Sequence, residues 1–559
     1  MKFYVSILIT LLSIAAQAQH AAPFSEESAK ALAAEQGNFK EIASGLLQKA
    51  QQQYQAKDLA AAAANLDASR LIEAMGEAAV PVDANLVAFM LSDQDFCDEF
   101  SKTLSPEDNL PEVFTILNNI YKAAAQSFKK FPRLAAAIAV VFDTPPPATW
   151  PHHQVSEKDL PRKFADPVQT FKMWVEDREK GRLLCPCEKL SIEEAKFLVA
   201  SVASREDRLW ARRSVSANAA GIEKIYSSVP YDYGRVNSSK FDWRGGEYRL
   251  ERIKEKGGIC TDQSYFTSEV AKAKGLPSFI LSGAGSDGFH AWTAYMLKGG
   301  KWNFSVGRYE GGNFVTGRTI DPQTWKTSTN HQLQRMSQDF RRNKKYRLNE
   351  LHTEFAKIYF QQSDTAKAKA AAAEAIRADP RNFETWSLLL EIAKKSESQD
   401  EADKVCSNAL KAFGRYPDND AYFRNILIED YLGKDKRAEA KKLTTAFINK
   451  YKSSRPDLAM EFARRELLID IDSGDLKKLK SSYKRLFNLF KKNPAMTLNG
   501  IVVPVLEKLV NEGKTDKALE VMEQTKDFIK SYKDKTIVSN FDSVFKQVQA
   551  FIDKSKSSK

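Results

Sequence analysis

Apolar and polar positions along the chain fall into three textures. Over residues 24–142, Ala and Leu recur every three or four positions, most clearly in 46–71 and 116–141, with Lys, Gln and Glu between them and few glycines. That period predicts a helical N-terminal domain, bounded at residues 19–144. Pro145-Pro146-Pro147 and Trp150-Pro151 cannot continue a helix and read as a stiff linker, with His152 and His153 solvated beside it. A further helical stretch is predicted over about residues 192–225. From Val229 to Trp325 glycines and aromatics concentrate, and the pattern shortens to strands and turns. One helix is expected over 261–274, closed by Gly275 and Pro277. A strand over 278–282 and a hairpin of 290–297 and 301–306 around Gly299-Gly300 follow. No long crossover helix separates these strands, so the segment 145–335 predicts an α+β unit with an antiparallel sheet. Beyond residue 336 helical spacing returns with a repeat, marked by Pro380, Pro417, Pro456 and Pro494 at intervals of 37, 39 and 38 residues.

The N-terminus adds a targeting signal. Lys2, the apolar run 3–14 and Ala16-Gln17-Ala18 form the n-region, h-region and cleavage site of a signal peptide over residues 1–18. No later segment approaches eighteen consecutive apolar residues, so a secreted or periplasmic protein without a membrane span is expected. Net charge is +12, and all of it lies after residue 330: 45 Lys+Arg against 33 Asp+Glu there, 39 against 39 before. In an exported chain this diluted excess points to anionic envelope polymers, lipid headgroups or acidic proteins, and no nucleic-acid partner is expected.

Five cysteines, Cys97, Cys185, Cys187, Cys260 and Cys406, are too few for a disulfide framework, and their odd number leaves at least one thiol unpaired. Cys185-Pro186-Cys187 lacks a second pair at zinc spacing, so a disulfide with Cys97 or Cys406, or plain thiols, is expected, and no metal. Gly283-x-Gly285-x-x-Gly288 matches a dinucleotide pattern, but a strand follows it where a helix is required. It reads as a turn before His290, and no cofactor is expected. Cys260 differs from the other cysteines: it follows Gly257-Gly258-Ile259 and opens a helix, where free N–H groups and the helix dipole are expected to lower a thiol pKa. Thirty residues on, His290 starts a strand.

The ordered set Gly257-Gly258-Ile259-Cys260-Thr261-Asp262-Gln263, Ala273-Lys274-Gly275-Leu276-Pro277, His290-Ala291-Trp292 and Trp302 resembles the transglutaminase-like core, over roughly 100 residues. The resemblance implies a papain-like fold with Cys260 as nucleophile and His290 as general base. Its implied chemistry is acyl transfer on amides of protein or peptide substrates through a thioester, resolved by an amine or by water. The family places an Asp a few residues beyond a Trp on the next strand, whereas Trp302 is followed by Asn303-Phe304-Ser305-Val306. Ser305 best matches that slot. Asn303 is the better orienter chemically, and symmetric pairing about Gly299-Gly300 puts both on the face of His290. Asp287 and Asp321 are the remaining acids. Trp243 and Trp292 are candidates to line the substrate cleft. The unit 355–380, with Asp379-Pro380 and Trp386 opening the next, resembles the tetratricopeptide pattern and implies an α-solenoid over 336–559 whose concave face suits a protein partner. Two functions are compatible with this sequence: an exported cysteine acyltransferase or hydrolase, or an envelope scaffold whose transglutaminase-like core is weak or inactive and whose solenoid binds a partner.

Overall fold

The computed structural model describes residues 24–34, 36–285, 288–297, 299–308, 317–328, 343–395, 399–530, 532 and 535–557. The signal-peptide segment 1–18 and Asp287 lie outside the described residues. Two compact units are present, one built mainly from residues 24–281, 291–308 and 318–328, the other mainly from 343–557.

The first unit begins with helices Glu26–Ala33, Phe39–Gln55, Leu59–Ala78, Ala84–Ser92, Gln94–Thr103, Leu110–Lys130 and Pro132–Phe142. Polar caps start them where the sequence places Ser or Asp: the Ser25 side chain accepts from Ser28 N–H, and that of Asp93 from Phe96 N–H at 3.0 Å. The following proline-rich segment is not a solvated linker. Trp150 is buried and packs edge-on against Trp325 at 5.5 Å, while Phe142 stacks on Phe164 at 4.3 Å. Arg162 makes this possible by donating to the carbonyls of Trp150 (3.1 Å), His152 (3.2 Å) and Val155 (2.7 Å), groups that would otherwise have to face water. One continuous apolar core consequently extends from Phe24 through Trp150 to Val306.

The stretch expected as helix over 192–225 is broken into Ile192–Val199, Arg205–Ser214 and Glu223–Tyr226. The break has a local cause, since Ser204 caps Asp207 N–H and so starts a new helix. Next come the short helices Tyr233–Asn237 and Leu250–Lys256, then the helix Cys260–Ala273. Three strands follow, β1 Ser278–Gly285, β2 Gly288–Met296 and β3 Trp302–Val306, in the order β1-β2-β3 with β2 and β3 antiparallel. A separate two-stranded ladder pairs Thr319–Ile320 with Thr327–Ser328.

The second unit is a run of helix pairs: Lys344–Gln361 with Thr365–Ala378, Phe383–Lys395 with Gln399–Ala412, Pro417–Gly433 with Arg437–Tyr451, and Pro456–Asp472 with Leu476–Phe490. The proline spacing has a structural meaning, because Pro417 and Pro456 each open the first helix of a pair, where a missing N–H costs nothing, and Pro494 opens the short helix Pro494–Thr497 that follows the fourth pair, while Pro380 lies three residues before its helix. Adjacent pairs are tied by buried polar links. Arg455 donates to both oxygens of Asp418 in the preceding pair (2.7 and 3.1 Å) and to Asp457 of its own (2.7 Å). Asn349 donates to the carbonyls of Ala375 and Asp379 and accepts from Asn382.

Candidate active site

The approach to Cys260 is set by two glycines. Gly257 has φ +78°, and a Cβ there would lie 2.5 Å from the carbonyl oxygen of Pro230; one on Gly258 would lie 2.3 Å from the Cβ of Asp262. At Gly257 a side chain is excluded because the backbone of Pro230–Asp232 runs against this turn, with Gly258 N–H donating to the Pro230 carbonyl (2.9 Å) and Asp232 N–H to the Gly258 carbonyl (3.0 Å), and at Gly258 because the Asp262 side chain folds back over it. Asp262, on the first turn of the Cys260–Ala273 helix, accepts the N–H of Ile259 at 2.8 Å and so closes the helix start.

Cys260 is half-buried, whereas Cys97, Cys185, Cys187 and Cys406 are all buried; all five are described, and all are thiols without a disulfide. Of the alternatives left by the sequence for the Cys185-Pro186-Cys187 pair, plain thiols are what the structure contains. Burial pushes Cys187 and Cys406 each up to about 12 and raises Cys97 well above an ordinary thiol. Cys260 is also raised from its ordinary value, and again burial is the main cause. Hydrogen bonds from the Ala291 N–H and from the hydroxyl and N–H of Thr261 pull the other way, and the charge of Asp262 adds to the rise. The expected net lowering by the helix start is therefore reversed: the donors are in place, but loss of solvation outweighs them.

Tyr226 fixes the neighbourhood of the sulfur. Its hydroxyl donates to the Ala291 carbonyl at 2.8 Å and lies 3.3 Å from that of Cys260, so one phenol spans the start of the helix and β2. Ser264 also donates to the Cys260 carbonyl (2.7 Å), and Thr293 donates to that of Ser264 (3.1 Å). His290, the residue preceding Ala291 on β2, is buried at 5% exposure.

Behind the helix start lies a buried polar chain. Arg235 donates to Asp262 Oδ2 at 2.7 Å and Tyr248 donates to Oδ1 at 2.7 Å, while His152 Nε2 is 2.9 Å from the Tyr248 oxygen. The single Tyr248 proton goes to the carboxylate, so the phenol oxygen accepts from His152 Nε2–H and leaves Nδ1 as a bare lone pair. No partner for that Nδ1 is found among the described residues. A second proton would have no acceptor, and complete burial, helped by the charge of Arg162, pushes His152 down to about 3. His152 is thus a neutral core residue, not the solvated linker residue expected. The unfolded chain binds a proton near the ordinary 6.5 while the folded one does not until about 3, so stability is full above 6.5 and is lost on acidification through that window. Replacing His152 by Gln is expected to remove up to about 1.4 kcal/mol per pH unit from that slope, read as urea midpoints of variant and parent between pH 4 and 7.

The candidate orienters are placed differently from expectation. β2 and β3 pair Met296 with Trp302 and Tyr295 with Asn303, but Thr293 with Val306. Three residues of β3 thus oppose two of β2, a bulge that shifts the register by one. Asn303 shares the face of Tyr295, the face opposite to His290 by strand alternation, and its polar atoms are engaged: Nδ2 donates to Glu223 and Oδ1 accepts Ser305 N–H at 2.9 Å. Ser305 is exposed. Asp321 faces Lys196 at 3.5 Å and accepts the N–H groups of Gln323 and Thr324 in a turn. Both tryptophans are buried and satisfied: Trp243 donates to the Gly246 carbonyl and packs edge-on against Tyr248 at 5.1 Å, and Trp292 donates to the Phe304 carbonyl at 2.8 Å. Tyr226, Arg235 and Tyr248 were not singled out by the sequence, which names His152 only as part of a solvated linker. Among the described residues no three His, Cys, Asp or Glu side chains gather as a metal would require, and no helix is long and apolar enough to cross a membrane.

No protein-family model matches this chain, and no curated protein matches it. Among solved structures it is similar to Pseudomonas aeruginosa PilF (13% identity, 38% of this chain and 99% of that one, TM-score 0.21). It is likewise similar to PilW, a widely conserved type IV pilus biogenesis factor (16% identity, 37% and 89%, TM-score 0.20). Likenesses at such scores carry no argument, and the helix-pair repeat stands on its own geometry.

Proposed function

We propose that this protein is an exported cysteine enzyme that transfers or hydrolyses acyl groups of protein or peptide amides. Cys260 is its nucleophile and His290 its base, and the C-terminal helix repeat engages a protein partner. The observation that carries this reading is the Tyr226 hydroxyl, 2.8 Å from the Ala291 carbonyl and 3.3 Å from that of Cys260, because it ties β2 at the residue after His290 to the helix start that carries the one thiol of the five that is not buried. In the reaction His290 takes the Sγ proton as sulfur bonds to the amide carbonyl carbon. The C–N bond then breaks and the departing nitrogen receives that proton. Water or an amine finally attacks the thioester and returns the thiol. Because burial raises the thiol pKa, the resting site holds a neutral thiol, and proton removal belongs to the attack itself rather than preceding it.

The test is incubation of the full-length protein with glutaminyl peptides and a biotinylated amine, with intact-mass detection of an acyl adduct on Cys260. Absence of any adduct or turnover rejects the enzyme reading. It would favour the second one, a catalytically silent scaffold, which the raised thiol and the turning of Asn303 toward Glu223 support. Asn303→Ala is expected to change the acylation rate by less than about threefold, since a residue on the far face neither touches nor orients the base. A loss of two orders of magnitude would restore Asn303 as the orienter.

A further inference from the structure

Beside the site, the edge of β2 is completed by a side chain rather than by a strand. Leu297 N–H donates to the Lys301 carbonyl across the hairpin at 2.6 Å, so every second residue counted back along β2, Ala291 included, turns its backbone groups to the β3 side. Among the described residues the β2–β3 ladder ends at Thr293 and Val306, and the next residue, Gly307, leaves the strand with φ +78°. The Ala291 carbonyl therefore lies past the end of β3, where it needs a donor from elsewhere. Tyr226 supplies one. Its hydroxyl donates to Ala291 at 2.8 Å, while the Cys260 carbonyl, 3.3 Å away, already receives Ser264 Oγ at 2.7 Å. The ring reaches this place because Gly307 has no side chain: a Cβ there would fall 2.3 Å from Cε2 and 2.5 Å from Cγ of Tyr226. The chain after Tyr226 is pinned to the Cys260 helix in turn, with Gln263 Nε2 donating to the Val229 carbonyl at 2.8 Å and Gly258 N–H to that of Pro230 at 2.9 Å.

We propose that Tyr226, seated on Gly307, is a positioning residue of the site: its hydroxyl holds β2 at Ala291 in fixed register with the Cys260 helix start, and so sets His290 relative to the sulfur. This rests on the acyl-transfer reading of Cys260 and His290, and adds to it the group that holds the pair. A second tie, Thr293 Oγ1 to the Ser264 carbonyl at 3.1 Å, lies one helical turn farther from the sulfur. It leaves the helix start free to tilt once the phenol's hydrogen bond is lost.

Tyr226→Phe in the full-length protein keeps the ring on Gly307 and removes only the hydroxyl. With a glutaminyl peptide and an amine, kcat is expected to fall about 10- to 100-fold with KM within about twofold, since alignment is lost and peptide binding is not. Iodoacetamide alkylation of Cys260 at pH 8 is expected to move the other way, becoming about fivefold faster, because burial is what raises this thiol and the untied helix start shields it less. A residue serving stability alone would leave both rates of the folded protein unchanged. Gly307→Ala, which drives the ring out but keeps its hydroxyl, is expected to reproduce both shifts. The double variant should add nothing to the larger single effect, with the circular dichroism spectrum of the parent retained throughout. Alkylation reads the tie whether or not the parent turns over: faster alkylation in both variants of an inactive parent supports the positioning and removes only the enzyme reading. An active parent that Tyr226→Phe matches in kcat and in alkylation rate overturns the proposal and leaves that reading standing.

Discussion

Cys260→Ala is expected to abolish acyl-adduct formation and to lower turnover by at least about four orders of magnitude, toward the rate that binding alone sustains. No other thiol can substitute. Cys97, Cys185, Cys187 and Cys406 are buried in apolar surroundings, and burial holds the thiols of Cys97, Cys187 and Cys406 protonated through the neutral range. The same physics shapes the pH dependence. Because the Cys260 pKa is raised, its thiolate fraction is small at neutral pH and grows as pH rises past the midpoint of an ordinary cysteine. Iodoacetamide alkylation followed by intact mass should therefore climb steadily above pH 8 and give one added group in the parent and none in Cys260→Ala. His290→Ala is expected to cost about 10²- to 10⁴-fold in acylation at pH 7, while leaving alkylation at pH 10 nearly unchanged, where hydroxide replaces the base. An alanine variant at 260 that still turned over peptide amides would place the chemistry elsewhere.

Asp262→Ala should be the most damaging single change to stability, at about 3–5 kcal/mol. Asp262 is fully buried and holds the Ile259 N–H, the Tyr248 hydroxyl and the Arg235 guanidinium. Removing the carboxylate leaves a guanidinium at 8% exposure with its counter-charge gone, and unlike a carboxyl or an imidazole it cannot discharge by losing a proton. The cost is that of an orphaned charge rather than the worth of the pair. Asp262→Ala combined with Arg235→Met should for that reason recover much of the loss, as measured by urea unfolding with tryptophan fluorescence. A double variant no better than the single would show that the Tyr248 and Ile259 contacts, not the ion pair, dominate.

What was legible in the sequence had local causes. The helix start at Cys260 could be read because Gly257-Gly258 before it and Gly275 after it are backbone requirements written in residue type. The helix-pair repeat could be read because proline marks the first turn of successive pairs. The misplacement of Asn303 came from assuming symmetric pairing about Gly299-Gly300, when the ladder beside the turn is offset by one residue, pairing Met296 with Trp302 and Tyr295 with Asn303, and the bulge restores the symmetric register only beyond Asn303, at Thr293 and Val306. The linker reading failed because Pro145 to Pro151 gives no sign that Arg162 will satisfy its carbonyls and let Trp150 and His152 sink into the core. Nor can helix-start position alone give the sign of the thiol shift, which depends on how much solvent the finished fold removes from around Cys260.

The chain of bonds from His152 through Tyr248 to Asp262 also bears on the order in which the molecule matures. His152 and Tyr248 are separated by 96 residues, and Arg235 and Asp262 by 27, so the cradle of Cys260 closes only after long loops have been drawn together. Such contacts are entropically costly and form late, whereas the N-terminal helices need only neighbours in sequence. In a refolding experiment, helical signal should accordingly return before the thiol acquires its shielded character, and pulse labelling would find Cys260 still reacting as a free cysteine in a chain that is already largely helical.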